Sequence, residues 1–137
     1  MGTETPKTYI MSALQNVLRE IQTSNNLCDA ALGKILNLCG GMTIPALSIM
    51  DKKLVHKFTC LDGRSVYQVE GANGNIYICL KDELYCNCLS YKNSVILKQT
   101  NFICKHLLAV LLASALRTHV EIVKDNDTLN RLLAFEL

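Results

Sequence analysis

Tyr85-Cys86-Asn87-Cys88, followed by Cys104-Lys105-His106 at the mouth of the most apolar segment of the chain, is the stretch on which the fold turns. Two thiols one residue apart cannot readily bond to each other, but on a turn they can point at one ion. The second pair adds a thiolate and an imidazole, which completes the four N/S ligands that structural zinc takes in tetrahedral geometry. Cys86, Cys88, Cys104 and His106 are therefore the expected ligands of one zinc ion. The competing reading is a cysteine-rich core in which free thiols act as small hydrophobes. It does not explain why a histidine stands two residues from a cysteine just ahead of an otherwise apolar helix.

A helix start is a favourable place for the second pair, because unpaired N–H groups and the helix dipole favour the thiolate over the thiol. Cys86 and Cys88 belong to a knuckle after a strand, so an ion held by both pairs would tie a sheet to a helix. Four protein ligands leave no position for a reactive water, and the zinc is expected to be structural. A Cys104/His106 nucleophile pair would be consumed by ligation. The glycines lie at turns and helix ends rather than in a phosphate loop, and no paired acids suggest a catalytic site; the chain is not expected to be an enzyme.

Upstream, Thr5-Pro6 opens a helix carrying Ile10, Leu14, Val17, Leu18 and Ile21 on one face. Asn26 is the expected cap of a second helix with Ala31, Leu32, Ile35, Leu36 and Cys39 as its stripe, ended by Gly40-Gly41; a third begins near Pro45. From Leu54 the period becomes two. Asp62-Gly63 and Asn73-Gly74 read as type I′ turns joining strands at 55–61, 64–71 and 75–80, with Tyr67, Val69, Ile76, Ile78 and Leu80 inward. The segment 90–99 reads as a helical turn, Asn101 as the cap of a helix running to about Arg117, and Asp127 as the cap of a last helix at 128–135. The fold class is α+β: N-terminal helices, a short three-stranded antiparallel meander and zinc-stapled C-terminal helices. One domain is expected over 1–137, with a helical region at 1–53, the finger region at 54–120 and a C-terminal helix at 121–137.

A chain of 137 residues can bury a core without disulfides. Half the residues are hydrophobic and 19% are charged, with mean hydropathy +0.19. That balance leaves room for an apolar surface toward a partner. Net charge is +2 and the cations are scattered, which argues against a strong phosphate-neutralising face. Seven cysteines, an odd number, and a polar start at Met1–Lys7 point to a reducing compartment and metal rather than disulfides. The apolar run Leu107–Leu116 is too short to cross a bilayer, and no membrane association is expected. Cys28, Cys39, Cys60 and Cys79 sit at periodic apolar positions and read as core. His56 and His119 read as surface or helix-end residues.

The order Cys-X-Cys then Cys-X-His is that of the SWIM-type zinc finger. Gly63-Arg64-Ser65-Val66-Tyr67-Gln68-Val69, Tyr77-Ile78-Cys79-Leu80, Tyr85-Cys86-Asn87-Cys88 and Cys104-Lys105-His106-Leu107-Leu108-Ala109-Val110 together resemble the small SWIM-domain subunits of the Shu complex. Leu89 stands where many SWIM fingers have proline, which loosens the knuckle but removes no ligand. The resemblance implies a non-enzymatic nuclear subunit, with Cys86, Cys88, Cys104 and His106 on zinc. It would pair with a RecA-like recombinase paralogue and promote assembly of the recombinase filament, reaching single-stranded DNA through that complex during homologous recombination. The alternative is a stand-alone nucleic-acid-binding finger using Lys92, Lys98, Lys105 and Arg117, which solvation alone also explains.

Overall fold

The computed structural model describes residues 6–71 and 74–136. Helix α1, Pro6–Ser24, buries Leu14, Val17 and Ile21 at helical spacing. Helix α2, Asp29–Cys39, is capped by Cys28 rather than Asn26, with no side-chain hydrogen bond from the cap; Asp29 in its first turn complements the dipole. Gly40, at φ +55°, then breaks the helix. A single 3₁₀ turn, Gly40–Met42, leads into α3, Thr43–Asp51, which starts two residues earlier than its proline suggests. Thr43 is fully buried and its hydroxyl donates to the Ile35 carbonyl at 3.5 Å.

By length and composition, the helical stretch Asp29–Asp51 is apolar enough to cross a membrane. Its apolarity also has a packing reason. The break at Gly40 divides it, and Ala31, Ile35, Cys39, Ala46 and Met50 all enter the common core.

The sheet is larger than the expected three-stranded meander. The strands β1 (Val55–Cys60), β2 (Ser65–Glu70) and β3 (Ile76–Leu80) run antiparallel as neighbours. A two-residue strand β4, Tyr85–Cys86, adds to β3, and β5, Val120–Lys124, adds parallel to β1, giving the mixed order β4-β3-β2-β1-β5. So residues 120–124 are strand where only a C-terminal helix was expected. A parallel neighbour needs a long crossover, and the chain between β1 and β5 supplies it.

The β1–β2 connection is not a type I′ turn, because Asp62 lacks positive φ and only Gly63 has it, at +92°. Gly63 N–H donates to the Cys60 carbonyl and Cys60 N–H to the Arg64 carbonyl. That is the three-residue hairpin loop with glycine in its last position. Asp62 instead accepts from the Arg64 backbone N–H and guanidinium, which hold its carboxyl below the usual carboxylate range. At the second hairpin Gly74 has φ +75°; the Asn73 half of that expected turn lies outside the described residues.

Helix α4, Lys105–Leu116, is buried all round: His106 through Ala113 and Ala115 are all inside. It packs on α1 and α3 on one side and on the strands on the other. A helix hydrophobic on every face belongs between two layers, and this one is the central rod of the molecule. Arg117, in the left-handed region at φ +59°, ends it, and Thr118 N–H donates back to the Ala113 carbonyl. The opposite sheet face forms a second, smaller core of Cys60, Val66 and Ile78, covered in part by Leu133 from α5, Asn126–Glu136. That last helix is capped by Asp125, which accepts from the Thr128 N–H at 2.7 Å; Asp127 lies inside its first turn.

Among the expected inward strand residues, Tyr67, Val69 and Ile78 are buried, Leu80 is half-buried, and Ile76 is 46% exposed at the strand start. Cys39, Cys60 and Cys79 lie in the core, but Cys28 is exposed at the head of α2.

Candidate metal centre

β3 carries the first ligand pair into place. Cys86 pairs with Cys79 and Tyr85 with Leu80 across the β3–β4 ladder. The residue between the two cysteines then extends that ladder: Asn87 N–H donates to the Ile78 carbonyl at 3.1 Å, and Ile78 N–H donates to Asn87 Oδ1 at 2.9 Å. An asparagine here satisfies a strand twice while turning Cys86 and Cys88 to the same side.

The second pair comes from the start of α4. Cys104 is its N-cap, with extended backbone, and the sulfur accepts the Leu107 N–H at 3.4 Å. The cap is thus Cys104, not Asn101, and the helix begins three residues later than the sequence suggests. His106 follows in the first turn.

The Sγ atoms of Cys86, Cys88 and Cys104 and a ring nitrogen of His106 all lie within 4.8 Å of one another. Cys86 Sγ is 4.0 Å from His106 Nδ1. A tetrahedral zinc with Zn–S of about 2.3 Å places its sulfurs about 3.8 Å apart, so the cluster has the dimensions of such a site, and Nδ1 is the ring nitrogen aimed at it. All four residues are buried, none more than 5% exposed. Their donor set, three thiols and an imidazole, is a zinc set, with hard oxygen ligands absent.

Backbone donors supplement the set. Tyr91 N–H reaches Cys88 Sγ at 3.2 Å and Leu107 N–H reaches Cys104 Sγ, spreading the negative charge that three thiolates leave on a dication. Hydrogen bonds from Cys104 and Cys86 hold the Cys88 thiol far below its ordinary range. Contacts with Cys86 and Cys88, with burial, drive Cys104 far above it.

The surroundings hold the imidazole. Tyr77 stacks on the His106 ring with centroids 4.1 Å apart and 25° between planes. The tyrosine lies flat there because residue 71 is glycine: a Cβ on Gly71 would come within 2.6 Å of Tyr77 Cε2. Sequence spacing alone gives no hint of either residue, since neither bears a ligand atom. Cys79 sits directly across from Cys86 on the neighbouring strand, yet falls outside the group of four.

The four basic residues singled out in the sequence do not form one group around this centre. Lys92 and Lys98 are exposed on the π-helical segment Tyr91–Leu97 and just after it, and Lys105 is exposed at the head of α4. Arg117 lies at the far end of that 12-residue helix, about 18 Å away. His119 is turned inward against Tyr67 and bonds Glu121 at 3.3 Å.

No family model matches the chain, and no solved structure matches it. Among known proteins it is similar to zinc finger SWIM domain-containing protein 7 of Homo sapiens, 32% identical over 123 residues that cover 90% of this chain and 88% of that one. The Mus musculus protein of the same name is 32% identical over 120 residues, covering 88% and 79%. A Dictyostelium discoideum homolog is 26% identical over 129 residues, covering 93% and 82%. With its Cys-X-Cys and Cys-X-His pairs folded into one buried cluster, the chain belongs to the zinc finger SWIM domain-containing protein 7 family of SWIM-type zinc finger proteins.

Proposed function

We propose that the chain is a non-enzymatic, nuclear subunit that holds one structural zinc ion and pairs with a RecA-like recombinase paralogue. The pair promotes assembly of recombinase filaments on single-stranded DNA during homologous recombination, as the likeness to the Shu complex subunits implies. The observation that carries this reading is the buried Cys86/Cys88/Cys104/His106 cluster at the root of a largely buried helix, in a chain matched over about nine-tenths of its length by a SWIM protein. Such a centre fixes the positions of sheet and helix and leaves function to the surfaces around them.

The test is co-expression with candidate RecA-like paralogues, with complex mass and zinc content measured together. A stable heteromer with about one zinc per copy of this chain is expected. A chain that remains alone in the presence of every paralogue of its own cell refutes the pairing. A second reading, a stand-alone nucleic-acid-binding finger, draws on one observation: from Leu84 to Val120 the chain has cations but no acidic residue. Salt-dependent binding of an oligonucleotide by the isolated chain would favour it.

A further inference from the structure

The segment that joins the two ligand pairs is exposed and apolar in an unusual way. Leu89 is 70% exposed, Ile96 50% and Leu97 66%, close together in sequence on a piece of chain held at both ends by the metal cluster. These side chains are presented by an ordered scaffold. Val95 is buried beneath them, and Tyr91 is fixed by its hydroxyl to the Leu84 carbonyl at 2.6 Å and by its N–H to Cys88 Sγ. The Ser94 carbonyl accepts from the Thr100 N–H, the Thr100 hydroxyl and the Asn101 N–H. In a helical turn residues four or five apart share a side, so Lys92 flanks Ile96 and Leu97. Lys98 follows directly.

We propose that this apolar, basic knob is the docking surface for an acidic, amphipathic segment of the chain's protein partner; the proposal rests on the heteromer reading above and names its contact face. Charge complementarity selects the occupant. Lys92 and Lys98 rim the aliphatic residues, and no carboxylate occurs on this chain between Glu83 and Glu121 to neutralise them locally. An amphipathic segment with leucine-like anchors and a flank of Asp and Glu matches both features. The side chains disfavour a nucleic acid in the same place. Bases bind single-strand sites by stacking on exposed aromatic rings, and here the rings turn inward: Tyr91 is half-buried with its edge to Tyr85, and Phe102 packs against the core. Because the scaffold is already ordered, little entropy is lost on docking.

The experiment uses the full chain, zinc-loaded, with the RecA-like paralogue that co-purifies with it, and a labelled dT30 oligonucleotide as the nucleic-acid probe. Two variants are compared with wild type: I96D/L97D and K92E/K98E. Both change exposed side chains only, and zinc content and melting temperature check that each still folds. I96D/L97D is expected to weaken the paralogue by at least about 30-fold, the size of a central apolar anchor pair. K92E/K98E is expected to weaken it about 10-fold at low salt and less at high salt, mainly through the association rate. If I96D/L97D fails to fold, the salt-dependent loss in K92E/K98E decides. Wild-type affinity in both variants overturns the docking surface and leaves the heteromer standing. A wild type that binds no paralogue overturns both together. Retained paralogue binding with lost dT30 binding in K92E/K98E also overturns the proposal, making the knob a nucleic-acid face.

Discussion

Replacing Cys88 by serine tests the metal centre most directly. Serine keeps the shape and the Tyr91 N–H contact, but its hydroxyl does not ionise near neutral pH and cannot replace a thiolate ligand. Structural zinc sites of this kind are worth about 10–16 kcal/mol of folding free energy at neutral pH. Because Cys88→Ser breaks up the set of four brought together here, the whole of that contribution is at stake and not one ligand's share of it. The whole domain is expected to be stable by about 7–20 kcal/mol at its length. The loss is therefore a large fraction of the total, and it should lower the melting temperature by more than about 20 °C. The assay is thermal melting by circular dichroism with and without a chelator, beside zinc content by mass spectrometry. C88S should have lost zinc and should melt at nearly the same temperature with or without chelator, whereas wild type should drop when chelated. Cys79→Ala is the control: it removes a buried thiol in contact with Cys86 that is not among the four, so zinc should be retained. A wild type that is folded, metal-free and indifferent to chelator, or a C79A protein that loses zinc as C88S does, refutes the assignment.

Gly71→Ala should push Tyr77 off the His106 ring, costing about 1–3 kcal/mol and loosening zinc, which a competition titration with a chromogenic chelator would read. Leu108→Ala, at a fully buried position of α4, should destabilise by about 2–5 kcal/mol in denaturant melts without changing zinc stoichiometry. Iodoacetamide at pH 8 should label Cys28 alone in the zinc-loaded protein, because it is the one exposed cysteine. Burial pushes the Cys39 thiol up to about 11, and the clustered thiols should react only after chelation; mass spectrometry counts the labels. Asp125 caps α5 by accepting the Thr128 N–H, and Thr128, through its side chain and its N–H, holds the carboxyl below the usual range. Such a group contributes stability above its unfolded value near 3.9, and that contribution disappears as pH falls through the lowered folded value. Amide exchange at Thr128 should therefore stay protected to more acidic pH in wild type than in Asp125→Ala.

The ligand residues, the helices of the N-terminal half and the three central strands are legible in the sequence because each depends on local order. Leu14, Val17 and Ile21 recur at the helical period, the strands alternate, and two spaced pairs of ligand types need no knowledge of distant contacts. The missed features are non-local or lack a compositional mark. β5 is five residues whose strand character is completed by β1, about sixty positions earlier, and β4 is two residues long. Caps were misplaced for a related reason. Asn26, Asn101 and Asp127 have good capping chemistry, but the caps used are Cys28, Cys104 and Asp125, and tertiary position outweighed propensity. Cys28 fits a helical stripe by period but stands at the cap, where the side chain turns to solvent.

The placement of the metal cluster follows from the burial of α4. A helix surrounded on all sides cannot be oriented by an amphipathic stripe, because every rotation about its axis buries an apolar face. Something must fix its rotation and its register along the sheet. Cys104 and His106 do so at one end: a cap residue and a first-turn residue converge on the same point as Cys86 and Cys88, and an ion held there would lock the helix against β4 in one rotation. Tyr77 holds the imidazole from β3, and Gly71 gives Tyr77 its room. At the other end the left-handed Arg117 and the bond from Thr118 to Ala113 turn the chain toward β5, which closes the sheet beside β1. The cluster thus supplies the specificity that an all-apolar core lacks.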